Sequence, residues 1–104
     1  MTIDEFRAIA LALPNAIEGA HSGHPDFRVA KRVFATLGYP TDGWAMVKLT
    51  PGQQALAVAA HPKALKPANG AWGKKGSTLA QLSALTARAA EGLIRQAWEN
   101  LASR

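Results

Sequence analysis

Between Ala16 and Leu49 the apolar residues stop recurring at helical spacing and fall into short extended runs separated by turns. Strands joined by such short connections pair antiparallel, because a parallel crossover needs about a dozen residues or more. This stretch therefore commits the chain to an antiparallel sheet and argues against a doubly wound fold with its nucleotide crevice. Phe27-Arg28-Val29 and Val33-Phe34-Ala35 flank Ala30-Lys31 and read as a hairpin. A two-residue turn puts Phe27, Val29 and Phe34 on one face and Arg28 and Val33 on the other, gathering both phenylalanines into the core. Against that register, Ala30-Lys31 lacks the Gly or Asn that such a turn favours. Pro40-Thr41-Asp42-Gly43 is a loop, and Trp44 to Leu49 a further strand.

Helices bracket these strands. Thr2 and Glu5 form a capping box, and Ile3, Phe6, Ala10 and Leu13 follow at helical spacing until Pro14. Thr50-Pro51-Gly52-Gln53 is a second capping box with proline at the first helical position, and His61-Pro62 closes that helix. A loop from Lys66 to Gly70 leads through Ala71-Trp72-Gly73 and Lys74-Lys75-Gly76 to a strand from Ser77 to Leu82. The last helix runs from about Thr86 to Leu101, with Ala90, Ile94, Ala97 and Leu101 as its apolar stripe. The expected order is helix, three or four strands, helix, two strands, helix. That is a two-layer α+β fold, an antiparallel sheet with helices on one face, in a single domain over residues 1–104.

The chain's 104 residues suffice for one core, and much of its 48% hydrophobic content is alanine, so the Leu, Ile, Val and Phe side chains with Trp44, Trp72 and Trp98 are the large core candidates. Cysteine is absent, which removes disulfides, thiol chemistry and cysteine-based zinc sites. The acidic N-terminus does not read as a secretory signal, and no apolar stretch approaches the ~20 residues of a membrane span, so the cytoplasm is the default location and a monomer the default state.

Reactive constellations are sparse. Gly73-Lys74 is followed by Lys75, and Ala68 stands where a phosphate loop needs its first glycine. Gly70-Ala71-Trp72-Gly73 has a GxxG spacing, but between a loop and a strand rather than two helices. His21 and His24, with Glu18 and Asp26 nearby, sketch a metal site only by spacing that loops produce by chance. Ser22, Ser77, Ser83 and Ser103 lie in no nucleophile elbow. The expectation is a non-enzymatic protein with no metal and no cofactor.

What remains is charge. Twelve Lys and Arg against seven Asp and Glu give a net +5 and a basic balance that favours nucleic acid or acidic partners. The candidate nucleic-acid contacts are Arg28, Lys31 and Arg32 from the hairpin, Lys48 from the next strand, and Lys74 and Lys75 beside Trp72. An aromatic among cations is the mixture that single-stranded binding uses, stacking on one and neutralising phosphate with the other. For Trp72 itself, base rates for large aromatics favour core packing over stacking.

His24-Pro25-Asp26-Phe27-Arg28-Val29, then Arg32-Val33-Phe34-Ala35, then Val47-Lys48-Leu49-Thr50-Pro51, with Leu13-Pro14 early and Gly73-Lys74-Lys75-Gly76 late, resemble the bacterial MmcQ/YjbR proteins over nearly the whole length. The resemblance implies a two-layer α+β fold akin to type III secretion chaperones, and a DNA-binding role. This chain departs from the family pattern at the hairpin tip, where glycines commonly stand in place of Ala30 and Lys31. It departs again at Ser77, where an aromatic is common. The leading expectation is a DNA-associated module acting through a basic surface. The alternative is a protein-interaction or chaperone-like module with no nucleic-acid role.

Overall fold

Thr2 and Thr50 start their helices as their side chains require. Thr2 Oγ1 accepts the Glu5 amide at 3.1 Å while Glu5 accepts the Thr2 amide at 2.8 Å. Thr50 and Gln53 repeat the exchange. The structure, a computed structural model, describes residues 1–102, so Ser103 lies outside the described residues. In chain order the elements are α1 (Ile3–Leu11), β1 (Ile17–His21), β2 (His24–Val29), β3 (Arg32–Leu37), β4 (Trp44–Lys48), α2 (Pro51–Ala60), β5 (Leu65–Pro67), α3 (Gly70–Lys74), β6 (Ser77–Gln81) and α4 (Ala87–Ala102). The strands form one six-stranded antiparallel sheet in the order β1-β2-β3-β4-β6-β5.

The β2–β3 hairpin closes through Ala30 and Lys31, both at positive φ (52° and 66°). Two left-handed residues in succession make the turn whose twist matches the strands, even though neither is glycine or asparagine. Arg28 pairs with Val33 but Phe27 pairs with Ala35, so Phe34 is the extra residue of a bulge. The bulge keeps Phe27 and Phe34 together, both fully buried. With Phe6, Leu37, Val47 and Ile94 they are among the largest fully buried side chains, between the sheet and the α1–α4 layer. Phe6 and Ala10 are buried from α1, Leu13 from the turn just beyond it, and Ala90, Ile94, Ala97 and Leu101 from α4; Ile3 is 43% exposed.

The tryptophans are not where a core count puts them. Trp44 and Trp98 are half-buried and Trp72 is 62% exposed. Trp98 works as a fastener instead, its indole N–H donating to the Pro14 carbonyl at 3.0 Å and tying α4 to the end of α1's connection. Asn100 donates to the Lys48 carbonyl at 3.2 Å and to Gln53 at 2.8 Å, joining α4 to the β4–α2 corner. Two elements fall where the sequence reads as loop. β5 is three residues of sheet edge ending at Pro67, too short for alternation to register. α3 is a five-residue helix between β5 and β6, so a short helix precedes the last strand. No helix among the described residues is long and apolar enough to cross a membrane.

Candidate functional site

In β4, Ala45 and Val47 are buried in the core, so Trp44, Met46 and Lys48 point to the opposite face, away from the α1–α4 layer. Directly paired residues share a face. Met46 pairs with Thr36 on β3 and Leu79 on β6, Lys48 with Ser77, and Arg28 with Val33. Of these side chains Arg28, Val33, Thr36, Met46, Lys48 and Ser77 floor a concavity of about 440 Å³. Trp72 reaches it from α3 and Tyr39 from the end of β3, while His21 closes the β1 side.

Three observations explain how this site is held. Asp26 is fully buried yet ionised, because Arg28 grips both of its oxygens (Nε to Oδ1 2.8 Å, Nη2 to Oδ2 3.0 Å) and His21 Nδ1 donates to Oδ2 at 2.7 Å. The Arg28 hydrogen bonds hold the Asp26 carboxyl below its ordinary range, against its burial and with help from His21. The same pair raises the Arg28 guanidinium. Gly19 on β1 permits this: a Cβ there would stand 3.1 Å from Asp26 Oδ1 and 3.2 Å from Arg28 Nε.

Second, α3 is anchored from behind. Gln54 of α2 donates through Nε2 to the carbonyls of Gly73 (3.1 Å) and Ser77 (2.9 Å). Gly73 packs so closely that a methyl group would run into the Ala68 carbonyl oxygen. Trp72 is thereby presented outward, with Lys48 Nζ 5.5 Å from its ring centroid. Burial lowers the Lys48 ammonium below its ordinary value, and the nearby Arg32 charge lowers it further. Third, Thr36 Oγ1 is buried at the floor without a hydrogen-bond partner.

Of the residues chosen from sequence, Arg28, Lys48 and Trp72 line one concavity. Lys75 shares an adjoining depression with Lys48 and Trp72. Arg32 lies close enough to act on Lys48, although its partner across the hairpin, Val29, faces the core. Lys31 sits at the hairpin tip and Lys74 in the last turn of α3, and neither lines the concavity. Trp72 is exposed rather than packed in the core, the reverse of the base-rate expectation. Thr36, Tyr39 and Met46 escaped the sequence reading, because such residues carry no signal of which face is left open, and His21 stands out there only for its spacing from His24. Lys66, over the Trp44 ring at 4.9 Å, adds a cation to the same face through its pairing with Leu79.

The profile of the YjbR family matches residues 11–100, taking in every strand, α2, α3 and all of α4 but its last two residues, and leaving out α1 except for Leu11. The chain belongs to the YjbR family. Among solved structures, this YjbR chain is similar to Deinococcus radiodurans protein DR2400, with its DUF419 domain, at a TM-score of 0.81 and 21% identity. The superposition covers 99% of this chain and 80% of that one, and at that identity it shows the fold. No protein in the curated set matches the sequence. The α+β architecture and the family expected from the hairpin and Val47–Pro51 motifs are both as observed.

Proposed function

We propose that this YjbR domain is a non-enzymatic, DNA-associated binding module whose open sheet face takes single-stranded DNA. The carrying observation is the exposed Trp72 ring beside Lys48, in a concavity that also holds Arg28. Bases stack on an exposed indole regardless of sequence, while nearby cations take the phosphates. Lys75, which shares a depression with Lys48, and Arg32, whose charge acts on Lys48, extend the charge, and Lys31 and Lys74 are further phosphate contacts at the hairpin tip and on α3. A duplex keeps its bases stacked and cannot use the indole, so the geometry favours a single strand. Binding rather than catalysis is the reading, since the carboxylate at the site, Asp26, is buried and committed to Arg28 and His21. A cytoplasmic protein of this kind would meet its ligand directly.

A protein-interaction role is the second reading, and the apolar floor of Val33 and Met46 favours it. Fluorescence anisotropy with a labelled single strand and its duplex separates the two. We expect tighter binding of the single strand, weakened by about 1–3 kcal/mol in Trp72→Ala. Binding that ignores Trp72→Ala, or none at low salt, would remove the nucleic-acid reading.

A further inference from the structure

We propose that the concavity on the open face is a one-nucleotide subsite, taking a single unstacked base with its phosphate, and that the Thr36 hydroxyl hydrogen-bonds the edge of that base. The inference rests on the single-strand reading of this face and adds what the strand inserts there.

The volume, about 440 Å³, falls within the range of about 300–1,000 Å³ typical of small-ligand sites. Its contents select a ligand that is planar at one end and anionic at the other. Trp72 offers a wall for a π-system, and the Lys48 ammonium, which stands over that ring at 5.5 Å, is within reach of the phosphate of a base that takes its place on the ring. Arg28 stands on the same concavity, held rigid by Asp26. Asp26 lies behind Arg28 and His21 rather than in the lining, and both of its oxygens are engaged by them.

Thr36 is the observation that an indiscriminate electrostatic surface does not explain. It is 1% exposed, lines the concavity, and its Oγ1 has no partner. Buried hydroxyls in native proteins are nearly always satisfied, and an orphan calls for a reason. Met46 stands directly across from Thr36 and is half-buried. Its unbranched, adaptable side chain is the movable cover that a base edge would displace to reach the hydroxyl.

Isothermal titration with thymidine 5′-monophosphate and adenosine 5′-monophosphate tests the subsite, with inorganic phosphate and a single-stranded oligonucleotide as the comparison arms. We expect at least one nucleotide to saturate a single site, phosphate alone not to saturate at the same concentrations, and Thr36→Val to weaken the nucleotide roughly 3- to 10-fold. Thr36→Val should keep or raise the unfolding temperature, so a lost affinity is not a lost fold. Phosphate binding as well as the nucleotide, or affinity unchanged in Thr36→Val, would overturn the proposal. An oligonucleotide that binds while neither mononucleotide does would also overturn it, and would leave the proposed function standing. A mononucleotide that saturates while the oligonucleotide does not bind would support the pocket and end the single-strand reading.

Discussion

Asp26 carries more of this site than its position between Pro25 and Phe27 announces. A fully buried carboxylate is tolerable only when its charge is matched, and here the Arg28 guanidinium bonds both of its oxygens and the His21 imidazole one of them. Because the folded chain lowers the Asp26 carboxyl below its unfolded value, the contribution is complete above the ordinary carboxylate range. It is lost as pH falls through the lowered value. Asp26→Asn should therefore be less stable than the parent at neutral pH, and the gap should narrow as pH falls below the ordinary carboxylate range. Urea midpoints for the two proteins across that range check this, and a gap independent of pH would mean that Asp26 is not ionised when folded. The lowered Lys48 works in the opposite sense. Its protonated form is disfavoured by burial and by Arg32, so its contribution improves as pH rises toward the ordinary lysine value, and an anion bound beside it would erase that gain.

At the scale of elements, the hairpin was readable because burying both Phe27 and Phe34 leaves Arg28 and Val33 outside; its plain register was not, since Phe27 pairs with Ala35 across a bulge at Phe34. Burial of two phenylalanines outweighs an unfavourable turn. That turn still carries its strain: Ala30 sits at φ 52°, where a Cβ costs about 1–2 kcal/mol. Ala30→Gly should raise stability by about 0.5–1 kcal/mol, relief of the turn being partly offset by the freedom glycine has when unfolded. A chemical denaturation midpoint that falls instead would show that the turn is held by contacts of Ala30. The capping boxes and the α4 stripe were readable for a related reason, since they depend on residues a few positions apart. α3 was not. Gly-Ala-Trp-Gly-Lys has little intrinsic helicity, and the helix exists because Gln54 reaches it from α2 and Gly73 lets it lie against Ala68. Gly73→Ala should push α3 off Ala68, costing stability and weakening single-strand binding together, with Trp72 fluorescence shifting as its surroundings change. Unaltered Trp72 emission in that variant would disconnect α3 from the site.

Over the whole molecule, one sheet is covered by helices on one side and left open on the other, and the open side collects what the core does not use. The residue types of the site were legible as an excess of cations near a tryptophan. Their convergence was legible only in part. Alternation places Lys48 opposite Val47, and therefore outside the core, but the exposure of Trp72 depends on a helix without a local signal. Thr36, Tyr39 and His21 join the site through pairing across strands and loops distant in sequence. The remaining claim is that Lys48, Arg32 and Lys75 act as one field on phosphate rather than as separate solvated charges. If so, log affinity for a single strand should fall linearly with log salt, by about 0.7 for each phosphate neutralised. The decisive measurement is that slope for the parent and for Lys48→Gln. A slope shallower by roughly 0.7 in the variant is the predicted result. Identical slopes, or an affinity indifferent to salt, would contradict it.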